Sequence, residues 1–207
     1  MDLGLNGTRA IVTGGSRGIG RTIAETLIAE GGHVAICGRN EETLDATVAS
    51  LGSRATGRVV DVSDHEALTA WVDASAEAMG GLDIVISNAS ALGGPPDTPD
   101  KWRTVFETDV LSTVSLVDAA TPHLEASGIG SIVQLGTITA VEYHGYPGGT
   151  RSYGALKAAL LNYTSQLAFE LGPKKIRANS VSPGPIYIAD GSWGRIENAA
   201  PDYFAEN

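Results

Sequence analysis

The architecture can be read from one stretch, Arg9-Ala10-Ile11-Val12-Thr13-Gly14-Gly15-Ser16-Arg17-Gly18-Ile19-Gly20. A β-branched, apolar run enters a glycine-rich turn and leaves as a helical pattern that continues to Glu30. A strand that delivers a glycine turn to a helix N-terminus makes an anion site. Backbone N–H groups and the helix dipole face the anion, and the missing Cβ atoms allow close approach. The spacing is Gly14-x3-Gly18-x-Gly20 rather than G-x-G-x-x-G. A tight turn serving only helix–strand packing would use the same glycines. Their place after the first strand of an alternating pattern favours a dinucleotide phosphate site, with Gly14, Ser16, Arg17, Gly18, Ile19 and Gly20 around it.

The alternation continues outward. Strand runs are predicted at Arg9–Thr13, His33–Cys37, Arg58–Val60, Leu82–Ser87, Ser131–Leu135 and Ile176–Val181. They are short and rich in Val and Ile, which suits strands buried on both faces. Helical segments are predicted at Gly18–Glu30, Glu41–Ser50, Asp64–Met79, Pro99–Ala126 and Ser152–Leu171. Strand and helix in strict alternation imply parallel pairing through right-handed crossovers. The expected product is an α/β, Rossmann-type, doubly wound parallel sheet forming a single domain over residues 1–207. Long loops at Asn88–Asp97 and Gly136–Arg151 follow strands and so belong at the carboxyl edge, where ligands bind.

Composition narrows the function classes. Lys and Arg number 14 against 24 Asp and Glu, a formal net charge of −10, which disfavours nucleic acid and anionic membrane surfaces as partners. A single cysteine, Cys37, excludes an internal disulfide and a multi-thiolate site, which points to the cytoplasm. Four histidines without metal-ligand spacing imply no metal.

The second strand ends in Cys37-Gly38-Arg39-Asn40. It lacks the acid that would accept a ribose 2′-OH and offers Arg39, with Arg17 on the same side. Two guanidiniums match a 2′-phosphate, so NADP(H) is expected over NAD(H), solvated surface arginines being the alternative. Asp61-Val62 follows the third strand and suits the adenine amine or a helix entry. Asn88-Ala89 closes the fourth, where Asn88 either ties strands together or contacts ribose. Tyr153 and Lys157 lie four residues apart on one helix face, where an ammonium is expected to draw the phenol's pKa toward neutrality. Thr137 ends the fifth strand and offers a hydroxyl to a carbonyl oxygen, with Thr139 its rival.

Together these motifs resemble the short-chain dehydrogenase/reductase family: Thr13-Gly14-x3-Gly18-x-Gly20, Asp61-Val62, Asn88-Ala89, Tyr153-x3-Lys157 and Asn179-x3-Pro183-Gly184, in family order. The pattern looks like the 3-oxoacyl-carrier-protein-reductase-like members. The resemblance implies an NAD(P)-dependent oxidoreductase acting on a carbonyl or secondary alcohol. It makes Tyr153 the acid/base and Lys157 its helper. The family's serine falls on Thr137 and its catalytic asparagine on Asp109. Cofactor contacts extend to Pro183, Gly184 and Ile186. The chain departs from the pattern at Asp109, at Ser90 where glycine is usual, and at Ile188 where a threonine is common. Relatives normally continue beyond the equivalent of Asn207, so the C-terminal part is expected to be truncated. A homo-oligomer through the fourth and fifth helical segments is expected. So is an apolar or acyl-like substrate, on account of Tyr143, His144, Tyr146, Tyr187 and Trp193, which serve equally as loop packing. The rival function is a cofactor-binding regulator or assembly subunit with weak or no catalysis.

Overall fold

The computed structural model describes residues 3–92, 96–142, 151–189 and 191–206. Tyr143, His144 and Tyr146 therefore lie outside the described residues. Six strands form one parallel sheet: β1 (Arg9–Thr13), β2 (His33–Gly38), β3 (Ala55–Val59), β4 (Ile84–Ser87), β5 (Ser131–Leu135) and β6 (Arg177–Val181), in the order β3-β2-β1-β4-β5-β6. Val12 pairs in register with Ile36 on one side and Ile86 on the other. The period of two along each strand divides the core between the two faces. Ala10, Val12, Val34, Ile36 and Ile86 pack with Ala24 and Leu27 of α1 (Gly18–Ala29) and Leu44 and Leu51 of α2 (Glu41–Leu51). On the other face Ile11, Ala35, Val85 and Ile132 meet α3 (His65–Met79) through Leu68, Trp71 and Val72.

Helix starts follow local chemistry. Asn40 and Asp64 accept from the N–H groups of Thr43 and Ala67 and so cap α2 and α3. Thr98 caps α4 (Pro99–Val105), with Pro99 in its first turn, where no N–H is needed.

Three expectations change. The third strand runs over Ala55–Val59, not Arg58–Val60, and β3 and β6 are mostly exposed rather than buried on both faces. Both stand at sheet edges, where the flanking helices give less cover. The fourth helical segment is interrupted. After α4 comes a π-helical turn over Phe106–Leu111, then α5 (Ser112–Ser127), and such a turn re-aims the side chains that it carries. After α6 (Arg151–Leu171), the tail forms α7 (Ser192–Ala199) and α8 (Pro201–Glu206). Among the described residues, no helix is long and apolar enough to cross a membrane.

The amino edge of the sheet is held by a charged clip. Arg9 donates from its backbone N and from Nε to Asp83 Oδ2 at 2.9 and 2.8 Å, and from Nη2 to Oδ1 at 2.7 Å. Ser127 donates to the same carboxylate at 2.6 Å.

Candidate active site

The strand order reverses between β1 and β4, and ligands bind at such switch points, beyond the carboxyl ends of the strands. A cavity of about 850 Å³ opens there. Its floor is tied by Thr13 and Asn88. The Thr13 hydroxyl accepts from the N–H groups of Asn88 and Ala89 at 3.0 and 3.1 Å, while Asn88 Nδ2 donates to the carbonyls of Thr13 and Gly14 at 2.9 and 3.1 Å. Asn88 thus ties the strands together while also facing the cavity. Gly14 and Gly18 have φ of +65° and +56°, conformations that L side chains rarely adopt. Arg17 precedes α1 without capping it through its side chain, so the first N–H groups of that helix face the cavity uncapped from that position. A backbone cradle of this kind fits a dinucleotide pyrophosphate.

At the far end of the turn, Arg17, Arg39, Asp61 and Val62 line the cavity. Asn40 is occupied in capping α2. Burial works to raise the Asp61 carboxyl, but hydrogen bonds from the N–H and hydroxyl of Ser63, with the Arg39 charge nearby, hold it below its usual value. Cys37 is buried, and desolvation pushes its thiol up to about 12, which makes it inert.

The opposite end gathers the proton-transfer candidates. Thr137 lies two residues beyond the end of β5 and shares a hydroxyl–hydroxyl hydrogen bond of 3.1 Å with Thr139, which places the two candidate hydroxyls side by side. Tyr153 and Thr137 line the same end of the cavity, and the Thr137 side chain is close enough to oppose in part the rise of the phenol. Gly154 lets the start of α6 close on the Ile138–Ala140 turn that follows β5, since a Cβ there would lie 2.7 Å from the Thr139 carbonyl oxygen. Lys157 is 2% exposed and donates from Nζ to the Leu135 carbonyl at 2.8 Å. Its Nζ lies 6.0 Å from the Tyr153 ring centroid and 3.4 Å from Asp109 Oδ2.

Asp109 sits in the π-helical turn, 1% exposed. Its carboxylate also accepts from the Ser90 hydroxyl at 2.5 Å and from the Ala91 N–H at 2.8 Å, and its backbone carbonyl accepts from the Thr113 hydroxyl at 2.7 Å.

The expected depression of the phenol's pKa is overturned. Burial, then the negative charge of Asp109, pushes Tyr153 up to about 12, against a smaller opposing effect of the Thr137 hydrogen bond. Lys157 is itself shifted down by burial, which its interactions with Asp109 only partly offset.

Of the residues singled out from the sequence, Gly14, Ser16, Arg17, Gly18, Ile19, Gly20, Arg39, Asp61, Val62, Asn88, Ala89, Thr137, Tyr153, Pro183, Gly184 and Ile186 line this one cavity. Lys157 and Asp109 lie buried beside it. Sequence reasoning assigned no role to Ser90, which faces the cavity and holds Asp109. Nineteen positions separate the pair, and no local pattern connects them. Ile188 also lines the cavity. Trp193 forms part of the wall and stacks on Tyr203 at 6.3 Å, whereas Tyr187 packs edge-on against Phe204 and donates to Glu197. Among the described residues, no cluster of His, Cys, Asp or Glu is arranged to hold a metal ion.

Residues 8–195 match the family described as short chain dehydrogenase, and the chain belongs to that family. It is 36% identical over 212 residues to isoepoxydon dehydrogenase of Penicillium expansum, a match that covers 100% of this chain and 81% of that protein. Among solved structures it is similar to L-sorbose reductase from Gluconobacter frateurii complexed with NADPH and L-sorbose. That likeness has a TM-score of 0.88 at 30% identity and covers 100% of this chain and 81% of the reductase. It is also similar to NAD+-bound xylitol dehydrogenase, with a TM-score of 0.85 at 28% identity over 93% of this chain and 76% of that one.

Proposed function

We propose that this chain interconverts a carbonyl and a secondary alcohol with NADP(H), and that Tyr153 carries the proton. The observation that carries this reading is that Tyr153 and Thr137 line the same cavity as the glycine cradle. The groups proposed to hold the dinucleotide are the Gly14–Gly20 turn, Arg39, Asp61, Val62, Asn88, Ala89, Pro183, Gly184 and Ile186, with Tyr153 and Lys157 at the reacting end. When bound, the nicotinamide supplies or accepts hydride.

The chain's own residues do the rest. The hydroxyls of Thr137 and Tyr153 donate to the carbonyl oxygen, and charge developing there is stabilised by donors already in place. Tyr153 then passes its proton to that oxygen. Lys157, fixed by the Leu135 carbonyl and Asp109, supports the site from behind. Preference for NADP(H) is supported by Arg17 and Arg39 on the cavity wall and by the engagement of Asn40 in a cap. An apolar or acyl-like substrate is supported by Leu92, Ile138, Val141, Trp193 and Ile196 around the mouth. Pairing of two copies through α4–α5 and α6 is supported by Phe169, which is 90% exposed on α6.

The test is NADPH oxidation with a panel of ketones, ketoses and 3-oxoacyl thioesters. Wild type is expected to turn over at least one class. Tyr153→Phe is expected to lose about 10²–10⁴-fold in rate while still binding NADPH. Full activity in that variant refutes the reading, and cofactor binding without turnover on any carbonyl identifies a regulator instead.

A further inference from the structure

We propose that the Asp109 carboxylate cancels the charge of Lys157, which leaves Tyr153 a proton donor through the neutral range, so that the oxidative limb of the reaction gains its full rate only in alkaline solution. The inference rests on Tyr153 being the acid/base.

The geometry is that of a closed, neutral pair. Three donors converge on the Asp109 carboxylate: Ser90 Oγ at 2.5 Å, the Ala91 N–H at 2.8 Å and Lys157 Nζ at 3.4 Å. That is the environment of an anion, since an ionised carboxylate only accepts. The Lys157 ammonium is as deeply buried, pairs with that carboxylate and donates a hydrogen bond to the Leu135 carbonyl. A phenol beside a lone buried ammonium is drawn toward phenolate. Beside an ammonium already matched by a carboxylate it is not, and the upward shift of Tyr153, to which burial and Asp109 both contribute, agrees with the geometry.

Other charges near the site are less buried than this pair. Arg151 in the first turn of α6 is exposed and ion-paired at 2.9 Å to Asp97, whose side chain is 16% exposed, and Glu142 after the Ile138–Ala140 turn and Arg195 on α7 are exposed on the cavity wall. Solvent screens these charges far more than the buried pair. Ser90 and Asp109, two of the positions at which the chain departs from the family pattern, are hydrogen-bonded to each other.

In the reductive step the Tyr153 hydroxyl gives its proton to the carbonyl oxygen. That oxygen takes the electron pair of the C=O π bond, and the carbon receives hydride from reduced nicotinamide. The phenolate left behind is reprotonated from water. Oxidation requires the phenolate at the outset, and so requires alkaline solution.

The test needs no substrate. Tyrosinate absorbance is titrated in cofactor-free wild type and in Tyr153→Phe, and the difference reports Tyr153 alone. In wild type the phenol is expected to remain protonated at about pH 10. In Asp109→Asn the fraction ionised at a given alkaline pH is expected to rise about tenfold, a shift of about one unit. Ser90→Ala, which leaves the carboxylate charged, is expected to produce no such rise. With a substrate in hand, oxidative kcat/KM should climb with pH through the range where reductive kcat/KM is flat, and both limbs should move to lower pH in Asp109→Asn. Ionisation of the wild-type phenol near neutrality overturns the proposal even if Asp109→Asn does not fold. So does an unshifted titration in Asp109→Asn, or a rise in Ser90→Ala. Retained turnover in Tyr153→Phe would instead overturn the assignment of the acid/base, and the titration would still report the Tyr153–Asp109 coupling on its own.

Discussion

Asp83→Asn tests how the sheet that carries the site is held together. The carboxylate is 4% exposed and Arg9 is 26% exposed. Hydrogen bonds from the Arg9 guanidinium, chiefly, outweigh the cost of burial and, with the Ser127 hydroxyl and the Arg9 N–H, hold Asp83 at about 2 against an ordinary 3.8. That difference corresponds to about 2 kcal/mol of stability at neutral pH. The asparagine keeps the shape but removes the charge, and it turns an amide N–H₂ toward groups that are themselves donors. Arg9 is left partly desolvated and poorly matched, which adds to the loss, although its exposure keeps the total below the cost of breaking a fully buried pair. The expected destabilisation is about 2–3 kcal/mol, or a fall in Tm of roughly 4–12 °C for a chain of this length. Because the folded carboxyl titrates below its unfolded value, its contribution is complete above about pH 5 and disappears as pH falls through about 2. Urea unfolding followed by circular dichroism, at neutral pH and at steps between about pH 4 and 3, reads both quantities. A difference between wild type and variant that stays constant with pH would refute the electrostatic account, and equal midpoints at neutral pH would remove the clip from the stability of the fold.

Three further outcomes are expected. Arg39→Ala should weaken NADPH binding about tenfold or more with little effect on NADH, the loss of one charge-assisted contact, and an unchanged affinity ratio by calorimetric titration would remove Arg39 from cofactor choice. Gly20→Ala places a Cβ 2.4 Å from the Gly14 carbonyl oxygen and 2.5 Å from Asn88 Nδ2, so it should cost about 1–3 kcal/mol in thermal or urea unfolding and weaken NADPH binding; undiminished stability and binding would show that the turn is not closely packed. Phe169→Asp should lower the mass of any wild-type assembly measured by light scattering, and an unaltered mass would move the interface off that part of α6.

Much of the fold was legible because its signals are local. The Arg9–Gly20 stretch carries strand, turn and helix start within twelve residues. The bounds of β3 differ from the expectation because Val59 and Val60 look alike in sequence, whereas Val60 is buried just beyond the strand and Val59, inside it, is exposed at the sheet edge. That the residues singled out from strand ends and glycine turns line one cavity has the same local reason. Strand ends and glycine turns announce the carboxyl edge, and the edge is where the cavity lies.

The one-dimensional chain therefore specified a parallel α/β sheet, a glycine cradle at the end of β1, and a tyrosine and lysine sharing one face of α6. It did not specify the electrostatics of that face. The π-helical turn carries Asp109 against Lys157, and the Ser90 hydroxyl reaches the same carboxylate from the loop after β4. Coulomb energy and desolvation depend on distance and burial in space, and neither is written in sequence separation. For that reason the burial and the Asp109 charge that raise the tyrosine, instead of lowering it, came into view only with the chain folded.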